Sequence, residues 1–144
     1  MKSRMLEDTP LPVRLKVGAL WVSVMFCYVY GDYFDLYRPG KLEGMLQGKM
    51  GPLGAVTQGV LFGTAILMIV PSLMIFLSLA LRATLCRWLN IVFGIVYSMI
   101  MLLIAISGGW LFYRFLAVVE VLLTSLIVWY AWRWPRQVAS GTAA

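Results

Sequence analysis

The chain has no histidine, two cysteines and six acidic residues among 144. Without histidine there is no imidazole to ligate haem or a metal, and the commonest general base at neutral pH is missing. Cys27 and Cys86 form no C-x-x-C, which removes the central requirement of a thiol-disulfide or quinone-linked redox mechanism. Cys27 falls in the first apolar run and Cys86 is expected in the loop after the second, so the two should lie at different depths and cannot pair. No metal-ligand spacing and no nucleophile-base constellation is present, so neither a metal, a cofactor nor a catalytic residue is expected.

Charge is scarce as well. Only 12% of residues are charged, 62% are hydrophobic, and the mean hydropathy is +0.87. A soluble domain needs polar side chains to cover its surface, whereas lipid lets a bundle present leucine and phenylalanine outward. The formal charge of +6 does not point to nucleic acid, because the basic residues sit at the ends of apolar runs and no basic stripe with interleaved aromatics exists. Glu7, Asp8, Pro10 and Pro12 precede the first run and no A-x-A-like site follows it. That segment is therefore read as a retained helix, not a cleavable signal.

Four runs are long enough to cross about 30 Å of hydrocarbon, at about 15–34, 55–81, 88–107 and 110–132. The reading is one all-α membrane domain spanning residues 1–144, an up-down-up-down bundle of four transmembrane helices with short connections. Pro71 interrupts the second span, which neighbouring helices can tolerate in a membrane. Lys2, Arg4, Arg14, Lys16, Arg82, Arg87, Arg133 and Arg136 lie on one side, against Arg38, Lys41, Lys49 and Arg114 on the other. The positive-inside rule then places both termini in the cytoplasm. Trp88, Trp110, Trp129, Trp132 and Trp134 cluster near span ends as interfacial anchors.

The sizeable extramembrane feature is the outer loop. Within "KLEGMLQGKM", Leu42, Met45, Leu46 and Met50 recur at helical spacing, which predicts a short amphipathic helix on the outer leaflet. Before it, "YGDYFDLYRPG" reads as the outer exit of the first helix, with Tyr30, Tyr33 and Tyr37 in the headgroup zone and Arg38-Pro39-Gly40 turning the chain.

Polar residues inside the spans require a reason. Glu120 sits about ten residues into the last span, about 15 Å deep, where an ionised carboxylate is costly; it should face partners in the bundle or be protonated. Tyr113, Ala117, Glu120, Thr124 and Ala131 share its helical face, and Asn90, Gly94, Tyr97 and Met101 share one on the third span. Ser23, Cys27 and Tyr30 are the expected inner face of the first. Depth matching makes Tyr97 the expected hydrogen-bond partner of Glu120 and leaves Asn90 near the cytoplasmic end. Arg114, six positions before Glu120, is expected to pair with Asp32 or Asp35, with Gln58 completing one polar cluster. Gly59 and Gly63 form a G-x-x-x-G pair that lets another helix approach closely, within this chain or in another.

The segments "YGDYFDLYRPG", "TQGVLFGTAILMIVP", "RWLNIVFGI" and "VEVLLTSLIVWYAWRWP" resemble an uncharacterised family of small bacterial four-helix membrane proteins in the DoxX-like neighbourhood. That resemblance implies an integral inner-membrane protein and transfers no catalytic residues. Where the pattern often has an acidic residue two positions before the helix-two proline, this chain has Ile69, which weakens a carboxylate pair across helices two and four. Three functions compete: a non-enzymatic lipid- or lipophile-binding protein or accessory subunit, an oligomeric proton- or cation-coupled transporter using Glu120, and an intramembrane isomerase-type enzyme. The expected partners are membrane lipids and a homo-oligomer or larger membrane complex.

Overall fold

The computed structural model describes residues 9–135. Lys2, Arg4, Glu7, Asp8 and Arg136, used above for topology and for the signal argument, lie outside the described residues. The order is α1 (Val13–Asp35), α2 (Lys41–Leu46), a 3₁₀ turn (Gly51–Leu53), α3 (Gln58–Ala80), α4 (Ala83–Ile106) and α5 (Leu111–Trp132). Helices α1, α3, α4 and α5 are each long and apolar enough to cross a membrane. Leu81 and Arg82 alone separate α3 from α4, and Ser107 to Trp110 separate α4 from α5, so chain neighbours run antiparallel. The turn between α4 and α5 uses Gly108 and Gly109 at φ 86° and 118°, conformations that glycine adopts without a Cβ penalty.

One boundary corrects the sequence reading. The third span begins at Ala83, not near residue 88, so Cys86 is a buried helical residue and not a loop residue. An apolar-run boundary stops at the last charge, whereas a helix continues past it if the charge finds a partner. Arg87 does, donating from Nε to the Ala131 carbonyl at 3.1 Å. Arg14 likewise donates to Leu79 O at 2.9 Å and Arg114 to Ala105 O at 2.9 Å. Each acceptor lies in the last turn of a helix, where carbonyls have no intrahelical donor and the helix dipole favours a cation. Three arginines thus stabilise the C-termini of α3, α5 and α4.

The core follows a spacing of alternating three and four residues. Val17, Trp21, Val24, Tyr28, Gly31 and Asp35 are buried on α1, and Ala117, Glu120, Thr124, Ile127 and Ala131 on α5. That is the seam of left-handed helix packing. The faces expected for α4 and α5 are present, but of the one expected for α1 only Cys27 turns inward. Ser23 and Tyr30 point outward: Ser23 Oγ donates to its own helix at Ala19 O, 3.1 Å, and Tyr30 stacks with Phe26 and Phe34. A lipid-facing serine satisfied by its own backbone costs little, so polarity was a poor guide to that face.

Asn90 ties the core together near the end of the bundle that carries the termini. Its Oδ1 accepts from Trp21 Nε1 at 2.7 Å, its Nδ2 donates to Cys86 O at 2.8 Å, and Ser78 Oγ lies 3.2 Å from Nδ2. The indole N–H can only donate and the carbonyl only accept, which fixes the amide orientation. Cys86 Sγ in turn donates to Ser78 O at 3.2 Å. α1, α3 and α4 meet at this one buried amide.

A second link explains how α3 tolerates its proline. Pro71 has no N–H, so the Leu67 carbonyl loses its i→i−4 donor. Tyr97 Oη on α4 donates to that carbonyl at 2.6 Å, and its ring packs edge-on against Trp21 with centroids 6.0 Å apart. Tyr97→Phe should therefore cost about 1 kcal/mol in a denaturation titration of the detergent-solubilised protein. In a Pro71→Ala background, where residue 71 supplies the missing donor, the same change should cost much less. Equal costs in both backgrounds would refute the link.

Candidate functional site

On α3 the buried positions are Pro71, Met74 and Ser78, all in its second half. The first half stands away from its neighbours, and α3 touches α4 only slightly. The space this leaves is a cavity of about 320 Å³ in the half of the bundle nearest the outer loop. All four long helices contribute to it. Its apolar wall includes Leu67, Met68, Ile100, Met101, Ile104 and Leu116, and Met50, Pro52 and Leu53 of the loop border it. A further hollow of about 400 Å³ adjoins it, sharing Asp32, Asp35, Lys41 and Met50.

The loop is held in place locally. Gly40, at φ 75°, lets the chain reverse into α2, as expected for the Arg38-Pro39-Gly40 turn. Val56 N donates to Gly48 O at 2.8 Å and Met50 N to Gly54 O at 2.7 Å, bringing the 3₁₀ turn over the cavity. Helix α2 is present where the sequence placed it. Leu42, Met45 and Leu46 are exposed, whereas Met50 is half-buried and belongs to the cavity wall.

Most polar groups of the cavity come from α1 and α5, with Lys41 of α2 and Thr64 of α3 added. Glu120 is buried, and among the described residues no hydrogen bond or ion pair reaches its carboxylate; only its backbone carbonyl accepts, from Thr124. Tyr28 is 7% exposed and lines the same cavity, and its hydroxyl is buried with no hydrogen-bond partner. An unsatisfied buried hydroxyl is uncommon enough to require an explanation. Asp32 lies exposed at the mouth, while Asp35 is engaged by Lys41 and by Arg38 Nε at 3.3 Å. Cys27, Thr64 and Tyr113 complete the polar lining.

The structure redistributes the residues singled out from sequence. Tyr97 does not bond Glu120, because Pro71 leaves the Leu67 carbonyl as a stronger claim on its hydroxyl. Arg114 does not pair with Asp32 or Asp35, because its guanidinium is taken by the end of α4, nine residues away. Gln58 is exposed in the first turn of α3 and joins no cluster with Asp32 and Arg114. Asn90 is near the expected end but belongs to the structural knot, away from the cavity. Gly59 and Gly63 face outward, and among the described residues no other helix lies within 4 Å of either missing Cβ. The close approach falls at Gly94 instead, against Thr124 and Val128 of α5.

Sequence reasoning missed Tyr28, although Val17, Trp21, Val24 and Tyr28 repeat at the spacing of a packed seam and could have revealed that face. Among the described residues no cluster of three or more His, Cys, Asp or Glu could hold a metal ion.

A bundle of four membrane-length helices with a carboxylate-bearing cavity beneath an ordered loop defines a small all-α membrane protein. The chain belongs to DUF6326, a family of unknown function, which it matches over residues 13–140. No curated protein and no solved structure matches it.

Proposed function

We propose that this is a non-enzymatic membrane protein that binds a small lipophilic molecule in the cavity between its four helices. The observation that carries the reading is the cavity itself, about 320 Å³ with an apolar wall and a few convergent polar groups, the usual composition of a small-molecule site. We further propose residence in the bacterial inner membrane with both termini cytoplasmic, supported by eight Lys and Arg on the termini side against four on the other. The cavity mouth then opens outward.

The transporter reading has less support. Below Glu120 the core is filled by Tyr97, Trp21, Ile127 and Thr124, all buried, so a single chain offers no continuation toward the termini. An acid-base enzyme is also disfavoured. Asp32 lies exposed at the mouth, one turn from the end of α1, and Glu120 is buried nine residues into α5, so the two carboxylates stand at different depths in different surroundings, and among the described residues no nucleophile–base pair joins them.

Gently purified protein should retain a lipophile detectable by mass spectrometry of organic extracts. Ala117→Phe, which fills the cavity from α5, should lose it while remaining a folded bundle by circular dichroism. A wild-type protein that releases nothing beyond bulk phospholipid, or an Ala117→Phe protein that retains the same molecule, would refute the reading.

A further inference from the structure

The cavity is lined mainly by acidic groups in a chain that is otherwise basic. Its lining holds three carboxylates, Asp32, Asp35 and Glu120, against one ammonium, Lys41. Lys41 is already committed to Asp35, and Arg38 reinforces that pair. Glu120, in the deeper part of the cavity, has no cation or donor reaching it from the described residues. Tyr28, whose buried hydroxyl is also without a partner, lines the same space. A hydroxyl can accept as well as donate, so Tyr28 and Glu120 together offer acceptors for more than one N–H. An anionic ligand would bring like charge to two unengaged carboxylates. A purely apolar one would leave both Glu120 and Tyr28 unsatisfied.

We propose that the molecule bound in the cavity is a lipophilic amine, its ammonium group held by the Glu120 carboxylate and the Tyr28 hydroxyl and its hydrocarbon part lying along Leu67, Met68, Ile100 and Ile104. This rests on the cavity being a lipophile site and adds the charge class of its ligand. Asp32, exposed at the mouth, attracts the cation on entry. The walls that would surround a chain are aliphatic and thioether side chains, which favour a flexible alkyl group.

The test measures binding of octylamine, octanol and octanoate to the full-length protein in detergent micelles, read as the concentration-dependent shift of the thermal midpoint. Glu120→Gln and Tyr28→Phe are measured alongside, so that micelle partitioning is common to all comparisons. Octylamine should bind wild type at least about tenfold more tightly than octanol, as a charge-assisted hydrogen bond implies, and octanoate should bind most weakly. Glu120→Gln should abolish the preference for amine over alcohol while leaving octanol unchanged, and Tyr28→Phe should reduce it severalfold. Equal affinity for amine and alcohol, or an amine preference that survives Glu120→Gln, overturns the charge assignment and leaves the cavity reading in place. Binding of none of the three overturns both. The wild-type comparison of amine with alcohol needs no variant, so it decides the matter even if Glu120→Gln does not fold.

Discussion

Asn90→Ala should destabilise the protein by about 3 kcal/mol in a denaturation titration from detergent micelles, the largest loss expected of a single polar substitution here. The change leaves the indole N–H of Trp21, the Cys86 carbonyl and the Ser78 hydroxyl without the amide that each now uses. Asn90 is wholly buried, so water does not replace it. In membranes a side-chain hydrogen bond contributes only about 0.6 kcal/mol on average, because the unfolded helices also find partners. The larger figure is expected because several groups lose a partner together and a void opens between helices. Asn90→Leu, which keeps the branched shape, should recover at most the packing part, and Asn90→Asp should also fail, since a carboxylate cannot donate to Cys86 O. In a double-mutant cycle Trp21→Phe should be much less costly once Asn90 is gone. A loss below about 1 kcal/mol for Asn90→Ala would mean that the knot is not a principal link.

Gly94→Leu is expected to be comparably damaging through overpacking, about 3 kcal/mol. A Cβ at residue 94 would lie 2.6 Å from Val128 Cγ2 and 3.4 Å from the Thr124 carbonyl. The first contact is shorter than carbon atoms tolerate, and the Thr124 carbonyl and Ile127 already stand at van der Waals distance, so a leucine finds no room unless Val128 and the helix pair shift. α4 and α5 form the most extensive helix pair of the bundle, so the shift would be felt along their length. Val128→Ala should recover part of the loss by removing the nearest methyl group. Gly63→Leu provides the contrast: among the described residues nothing lies within 4 Å of its missing Cβ, and it should change stability by less than about 0.5 kcal/mol. Similar effects at the two glycines would show that the α4–α5 contact lies elsewhere.

The two glycines also show where sequence pattern misleads. Gly59 and Gly63 carry the recognisable G-x-x-x-G spacing yet face away from the rest of the chain, whereas Gly94 has no motif around it and bears the tightest contact. Small-residue spacing says that a helix could approach, but which helix does so depends on the orientation of every face in the bundle. The arginines teach the same lesson. Counting them identified the ends of the spans, but only the folded chain brings Arg14, Arg87 and Arg114 to the carbonyls at the ends of neighbouring helices.

Composition by itself determined the solvent of this protein and hence its fold class, because a chain with so few charges cannot cover a water-facing surface. Run length determined the four helices, short connections determined their antiparallel order, and the buried faces of α4 and α5 were readable because small and polar residues there recur at three- and four-residue spacing. The position of Glu120 in the bundle interior followed from depth and face. Its surroundings did not. Tertiary structure alone decided that Tyr97 serves the carbonyl orphaned by Pro71, that Asp35 is satisfied by Arg38 and Lys41 from its own loop, and that Tyr28 joins Glu120 at one cavity. Hydrogen-bond partners in a bundle are assigned by competition among every donor and acceptor at the same depth, and that competition depends on helix rotation and on the space left where α3 stands apart, neither of which a single strand of sequence encodes locally.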